Sequence, residues 1–93
     1  MTEKTFNTRA RAAGMAKSTI AYKELHALLS GSKEESRPDT STKRGVRVYT
    51  GTMMIYGRRM GLGVERGNDS PRGGVAGNFV KLTAKGKKQM FNR

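Results

Sequence analysis

Short apolar runs separated by glycine occupy the middle and the C-terminal third of the chain. In the first run, an extended backbone puts Val46 and Val48 on one side and Arg47 and Tyr49 on the other. All the runs have strand length and are rich in β-branched or aromatic residues, except for a weaker one that alternates glycine with apolar residues. They are residues 46–50, 52–56, 75–82 and, for the weaker run, 60–64. The pattern predicts an antiparallel sheet of three to four strands within residues 44–82.

An apolar stripe with helical spacing precedes these runs. Residues 19–29 contain no glycine or proline, and Ala21, Leu25 and Leu28 recur three or four positions apart. Gly31 stands where helices commonly end in a left-handed residue. We expect a helix here whose stripe packs across the apolar face of the sheet. The predicted fold class is therefore α+β, with N-terminal helices packed on a small antiparallel sheet.

The remaining segments complete one predicted domain. Its four parts are a helical part, residues 1–31; a polar linker, residues 32–43; the sheet, residues 44–82; and a basic tail, residues 83–93. Residues 1–7 read as a polar lead-in, and the alanine-rich residues 8–14 favour a short helix. Turn-forming residues predict a long loop over residues 66–74. Thr83 can cap a final helical turn over residues 84–91.

The net charge narrows the class of partner. The chain carries 19 Lys and Arg against 7 Asp and Glu, a formal net charge of +12. Residues 45–93 hold most of the excess, with ten basic and two acidic side chains. Such a field attracts polyanions, of which nucleic acid is the commonest. We expect nucleic acid phosphates as partners; an ordinary solvated basic surface is the alternative.

The sequence contains no residue pattern that is typical of a catalytic or metal-binding site. The chain has no cysteine, which excludes disulfides and thiolate metal sites, and His26 is the only histidine. The glycine pairs do not form a phosphate-binding loop. We expect no enzyme activity, no cofactor and no metal. Because no apolar run approaches the ~20 residues that span a bilayer, and no secretory signal is recognisable, we expect a cytoplasmic protein without membrane contact.

Basic residues interleaved with tyrosines make up the candidate nucleic-acid site. Arginine forms bidentate phosphate contacts, and an exposed aromatic ring on a sheet can stack on an unpaired base. Tyrosines in a sheet can equally be core residues with a solvated hydroxyl. The predicted site comprises Arg47, Arg58, Arg59, Arg66, Arg72, Lys81, Lys85, Lys87, Lys88, Tyr49 and Tyr56.

Residues 8–29 resemble the helix-turn-helix motif of DNA-binding proteins. Ala10 precedes Gly14 by four positions, and Ile20 follows Gly14 by six, as in that family. The resemblance implies that the residues facing the major groove are Lys17, Ser18, Thr19 and Lys23. Two residues depart from the motif by standing where it has buried aliphatic side chains: Arg9 and Lys23.

Taken whole, the chain is similar to small phage-encoded anti-CRISPR proteins, in particular those directed at the type I-F crRNA-guided surveillance complex. The likeness lies in single-domain size, absence of cysteine, high charge, and a helix with a small sheet. It implies a non-catalytic inhibitor in the host bacterial cell that binds the CRISPR-Cas ribonucleoprotein, with its Cas proteins and crRNA. The inhibitor would block target DNA hybridisation, using its basic surface against guide RNA or in place of DNA. The alternatives are a helix-turn-helix transcriptional regulator of phage or plasmid type and a nonspecific nucleic-acid chaperone.

Overall fold

A computed structural model describes residues 1–90 of the chain. These residues form the helices α1 (Glu3–Ala12), α2 (Ile20–Ser30), α3 (Lys43–Arg59) and α4 (Ala84–Lys88), and the strands β1 (Glu35–Ser36), β2 (Val64–Asn68) and β3 (Asn78–Leu82). The strands make one antiparallel sheet in the order β1-β3-β2. The α+β prediction, with a three-stranded antiparallel sheet, is confirmed.

The longest element, α3, occupies the place of two predicted strands. Residues 46–50 and 52–56 lie within one 17-residue helix, so both strand predictions were wrong. Val48, which an extended chain would place beside Val46, is 58% exposed while Val46 is 1% exposed. The buried side of α3 recurs every three to four positions, at Val46, Thr50, Met53 and Gly57. Packing of this side outweighs the strand preference of the β-branched and aromatic residues.

Two glycines of α3 serve close packing rather than turns. A Cβ at Gly57 would overlap the side chain of Val64 in β2. A Cβ at Gly45 would lie 2.6 Å from the hydroxyl oxygen of Thr40, in the segment that leads into the helix. Glycine weakens a helix interior by roughly 0.5–1 kcal/mol relative to alanine. At these positions it allows α3 to lie directly against its neighbours.

The first helix begins before the predicted one. Thr2 caps α1 by accepting a hydrogen bond from the backbone N–H of Thr5 at 3.2 Å. Residues 3–7, predicted as a polar lead-in, are therefore helical, and α1 ends at Ala12. Phe6, which the lead-in would leave in solvent, is 0% exposed and belongs to the core.

Helix α2 agrees with its prediction and supplies much of the core. It ends at Gly31, which is left-handed with φ of +81°. Ala21, Leu25 and Leu28 are 8%, 0% and 1% exposed and lie in one cluster with apolar residues of the sheet, including Val80. The predicted packing of the α2 stripe on the sheet is confirmed.

The sheet is shorter and more polar than its prediction. Strand β1 falls in the predicted polar linker, and β2 extends to Asn68, into the predicted loop. Of the weaker run, residues 60–64, only Val64 belongs to a strand. Residues 75–77, predicted as strand, form a short 3₁₀ helix, and β3 begins at Asn78. Backbone pairing with β3 defines β2, from Val64 opposite Leu82 to Asn68 opposite Asn78.

Helix α4 closes the described part of the chain. Thr83 caps it, as predicted, by accepting from the N–H of Gly86 at 3.1 Å. The helix ends at Lys88; Phe91, at the end of the predicted turn, and Arg93 lie outside the described residues. Gln89 accepts from the N–H of Gly63 at 2.9 Å and donates to the carbonyl oxygen of Gly61 at 3.0 Å. These bonds hold α4 against the connection between α3 and β2.

Candidate nucleic-acid interface

Helix α3 presents one solvent-facing stripe, which we call the α3 face, with four exposed side chains and one half-buried glycine. Its residues follow one another at spacings of four, three, four and three: Arg44, Val48, Gly51, Ile55 and Arg58. This spacing aligns side chains along one side of a helix. Val48 is 58% and Ile55 51% exposed, and both arginines are exposed. The α3 face therefore has an apolar middle and a cation at each end, about 21 Å apart along the axis.

A groove between α3 and β2 brings together two arginines of consecutive elements, eight positions apart in the sequence. It encloses about 540 Å³, and its lining includes Arg58 and Arg66 together with Gly51 and Ile55. Glu65 also lines it, but its carboxylate is 3.7 Å from the ammonium of Lys81. A guanidinium nitrogen of Arg66 lies 3.9 Å from the position that a Cβ on Gly51 would occupy. Arg47 lies one helical turn before Gly51 on the same side of α3. We call the set Arg47, Arg58 and Arg66 the arginine groove.

The charges of the arginine groove are not neutralised within the described chain. Among residues 1–90, no carboxylate lies within 4 Å of any of its three guanidinium groups. Several acidic side chains are paired elsewhere, as with Glu24, whose carboxylate is 2.8 Å from the ammonium of Lys33. The groove therefore offers its positive charge to an external anion.

Lys81, also predicted as a site residue, lies on the opposite face of the sheet. Arg66 pairs across the ladder with Val80, and Lys81 pairs with Glu65, so Arg66 and Lys81 point to different sides. The ammonium of Lys81 is 3.7 Å from the carboxylate of Glu65. On this outer face the positive charges stand beside acidic ones, and Lys81 is separated from the arginine groove.

Arg37 and Asp69 form a further ion pair on the outer face of the sheet. The Arg37 guanidinium pairs with Asp69 and also, at 2.8 Å, with Glu35. The hydrogen bond from Arg37 lowers the pKa of Asp69, which favours its ionised form. The same guanidinium lies 4.9 Å from the ring centroid of Phe79. Both the acids and the aromatic ring of this face are thus occupied by internal partners.

The two tyrosines of the predicted site pack against the protein. Tyr49 forms hydrogen bonds with Ser36 and, at 3.2 Å, with Glu24. Burial, together with the negative charge of Glu24, raises the pKa of Tyr49 to about 12. Tyr56 packs on the core, and the guanidinium of Arg59 lies 5.6 Å from its ring centroid. Neither ring stands on an open sheet surface.

The other predicted residues are dispersed. Arg72 is exposed in the connection between β2 and β3, and three lysines are exposed on α4: Lys85, Lys87 and Lys88. Lys87 lines a separate groove with Lys33 and Lys81. The structure thus brings Arg58 and Arg66 into one groove, with Arg47 farther along the same side of α3, and leaves the lysines of α4 apart.

Arg44 belongs to the α3 face but is missing from the predicted site. It lines the groove between α2 and α3, and within residues 1–90 it has no carboxylate partner. The signal that could have identified it is the helical spacing from Arg44 through Val48, Gly51 and Ile55 to Arg58. Interpreting residues 46–56 as strands concealed that spacing.

The N-terminal helices differ from a helix-turn-helix motif in three respects. Residues 13–19 separate α1 from α2, a connection longer than the three- to four-residue turn of that motif. Ile20, the aliphatic residue of the resemblance, is 68% exposed. Arg9, at a position where the motif has a buried aliphatic side chain, instead donates a hydrogen bond to the carbonyl oxygen of Met60 at the end of α3, 3.1 Å away.

Residues 1–90 contain neither a metal-binding cluster nor a membrane-spanning helix. No three His, Asp or Glu side chains of residues 1–90 lie where they could hold a metal ion together. No helix in this range is long and apolar enough to cross a membrane. The chain matches no protein-family model, and no curated protein and no solved structure is significantly similar to it.

Proposed function

We propose that this protein binds nucleic acid without catalysis, contacting phosphates through the arginine groove. The observation that carries the proposal is the convergence of Arg58 and Arg66 on one groove, with no carboxylate partner in residues 1–90. Guanidinium groups match phosphate oxygens bidentately. Like charges held together repel one another, and a bound polyanion relieves that repulsion.

Arg47 extends the cationic surface along α3. Eleven positions separate Arg47 from Arg58, which corresponds to about 16 Å along a helix axis. Phosphates of one B-form strand rise about 3.4 Å each, so this length covers about five of them. The groove can therefore contact several phosphates, and each contact releases counterions and adds to affinity.

The inhibitor function implied by the likeness to anti-CRISPR proteins is a specific form of this proposal. A surface of net positive charge binds the RNA or DNA of a guide-RNA complex, because a substitute for DNA would need negative charge. Of the two arrangements expected from the sequence, contact with nucleic acid is the one that agrees with the charge of the arginine groove.

The test of nucleic-acid binding compares two double variants of equal charge. Arg58→Ala with Arg66→Ala removes two groove cations, whereas Arg72→Ala with Lys88→Ala removes two exposed cations elsewhere. Fluorescence anisotropy with labelled oligonucleotides at several salt concentrations measures affinity. We expect the groove variant to bind about tenfold more weakly or worse, and its salt slope to fall by about 0.7–0.9 per lost contact. Equal losses from both pairs would show that only net charge matters and would end the site assignment.

The inhibitor form has its own measurement. Capture of a labelled target duplex by a purified type I-F guide-RNA complex is followed as this protein is added. We expect the wild-type protein to block capture and the Arg58→Ala, Arg66→Ala variant to require a higher concentration. Unchanged capture at saturating wild-type protein would refute the inhibitor form while leaving nucleic-acid binding intact.

A further inference from the structure

We infer that the ligand of the proposed nucleic-acid site is duplex DNA, with the α3 face inserted into its major groove. The inference rests on the proposed function and narrows it to one class of ligand. Helix α3 forms a ridge with a groove on each side. The groove toward β2 encloses about 540 Å³, and the one toward α2 about 700 Å³.

Each of the two flanking grooves holds cations without carboxylate partners in residues 1–90. Arg44 lines the groove toward α2, and Arg58 and Arg66 line the groove toward β2. A duplex that receives a helix in its major groove places one phosphate backbone on either side of that helix. Arg44, at the N-terminal end of the α3 face, borders one groove, and Arg58, at the C-terminal end, borders the other together with Arg66 of β2, so each backbone has at least one arginine within its groove.

The dimensions of α3 fit the major groove of B-form DNA. A helix with side chains is about 10–12 Å in diameter, and the B-form major groove is about 12 Å wide and 8.5 Å deep. In A-form RNA the major groove is too deep and narrow for side chains to read. At the centre of the ridge, Val48 and Ile55 are 58% and 51% exposed and provide apolar contacts of the kind that thymine methyl groups accept.

Gly51 gives independent support for close approach by a ligand. It stands between Val48 and Ile55 at the middle of the α3 face. A Cβ there would meet only Arg66, at the ordinary contact distance of 3.9 Å, so the fold does not require glycine at this position. At Gly57, by contrast, a Cβ would overlap Val64. A helix glycine that internal packing does not need lets another molecule approach the backbone.

Other occupants of the α3 face fit less well. A single strand is commonly held by stacking of bases on aromatic rings, and Tyr49 and Tyr56 are packed against the protein. A second copy pairing its α3 face antiparallel would bring Arg44 beside Arg58 of the other copy, and those like charges repel. Among residues 1–90, three carboxylates line the two grooves: Glu24 and Asp39 toward α2, and Glu65 toward β2. Glu24 is paired with Lys33 and Glu65 with Lys81, so Asp39 is the one that opposes a phosphate without a cation of its own.

The experiment uses the whole chain and three probes of one sequence: a 20-base-pair DNA duplex, one of its single strands, and the corresponding RNA duplex. Fluorescence anisotropy gives the three affinities at one salt concentration. We expect the DNA duplex to bind about tenfold more tightly than either other probe. Asp39→Asn should tighten binding of the DNA duplex.

Two substitutions that introduce the same side chain, leucine, test whether the α3 face contacts duplex DNA. Gly51→Leu fills the centre of the α3 face, and Ala12→Leu adds the same bulk at an exposed position of α1. We expect Gly51→Leu to weaken duplex DNA binding about tenfold while single-strand binding stays unchanged, and Ala12→Leu to change neither. Thermal melts establish that both variants are folded. Lys17→Ala with Thr19→Ala should leave duplex binding unchanged, because those residues lie outside α3.

The outcomes separate this inference from the function on which it rests. Equal affinity for the three probes, or unchanged duplex affinity of folded Gly51→Leu, overturns the duplex assignment and leaves phosphate binding by the arginine groove in place. Absence of binding to every probe overturns the proposed function itself. Binding of poly-glutamate as tightly as duplex DNA would assign the α3 face to an acidic protein. Dimerisation in sedimentation that Gly51→Leu abolishes would assign it to a second copy of the chain. Either result also overturns the duplex assignment.

Discussion

Arg9 of α1 donates a hydrogen bond to the carbonyl oxygen of Met60, 3.1 Å away at the C-terminal end of α3. The last carbonyl groups of a helix have no partner within the helix, and they lie at the negative end of its dipole. A guanidinium at this point satisfies one such oxygen and complements the dipole. The contact joins two helices that are far apart in sequence.

Replacing Arg9 with alanine should destabilise the fold by about 1–2 kcal/mol, because a charge-assisted hydrogen bond at a helix end is lost. Urea unfolding of the variant and the wild type measures the difference. Arg11→Ala, an exposed position of the same helix, is the control and should change stability by less than about 0.5 kcal/mol. Equal effects of the two substitutions would contradict a specific role for Arg9.

Leu25→Ala should destabilise the protein by about 2–5 kcal/mol, because the leucine is fully buried and truncation leaves a cavity. A thermal or urea denaturation series gives the value. Lys23→Ala, on the exposed side of α2, should stay within about 0.5 kcal/mol of the wild type. A melt unchanged by Leu25→Ala would refute the packing of α2 on the sheet.

Alanine substitutions at Gly51 and Gly57 should have opposite effects. At Gly51 the new methyl group meets only Arg66 at 3.9 Å, so the better helix propensity of alanine should stabilise the fold by about 0.5–1 kcal/mol. At Gly57 the methyl group would overlap Val64, and such overpacking typically costs about 1–3 kcal/mol. Urea unfolding of both variants tests the prediction. If both substitutions changed the free energy of unfolding in the same direction, the close contact between α3 and β2 would be contradicted.

The free energy of unfolding should fall at acid pH because the carboxylate of Glu24 becomes protonated. Its side chain is 16% exposed; burial opposes ionisation, but hydrogen bonds from Lys33, Ser36 and Tyr49 outweigh burial and lower its pKa. The stabilisation is complete above the ordinary glutamate pKa of about 4.3 and is lost as pH falls through the lower pKa of the folded state. The free energy of unfolding between pH 6 and pH 3 should decline less in Glu24→Gln than in the wild type.

A matched variant separates Glu24 from general acid effects. Glu34→Gln removes an exposed carboxylate that has no ion pair within residues 1–90. Its unfolding free energy should follow the wild-type pH dependence. If Glu24→Gln and Glu34→Gln gave the same curve, the network around Glu24 would not be the source of the acid dependence.

Local signals were sufficient for the ends of several helices. The end of α2 at Gly31 and the cap of α4 at Thr83 follow from short-range backbone chemistry and could be predicted. The stripe containing Leu25 was also readable, because α2 buries one side only. The start of α1 was not, because Phe6 stands alone among polar residues and its burial depends on the other helices.

For α3, local preference and tertiary packing disagree. Val46, Tyr49 and Ile55 belong to residue types that favour strands, and the glycines resemble turn residues. The helix forms because one side of it packs on β2 and α2, and at Gly57 glycine is what permits that contact with Val64. The free energy gained by packing against other segments of the chain leaves no pattern in the local sequence of the helix.

The chemistry of the candidate site could be predicted from the composition of the chain: many cations, few acids, and no pattern of catalytic nucleophiles or metal ligands. Which of the cations are neighbours depends on how the helices and strands pack. Arg66 joins Arg58 and not Lys81, because consecutive residues of β3 face opposite sides of the sheet and the register sets Arg66 opposite Val80 and Lys81 opposite Glu65. Which charges share a surface depends on contacts between segments distant in sequence, and those arise only when the helices and strands pack.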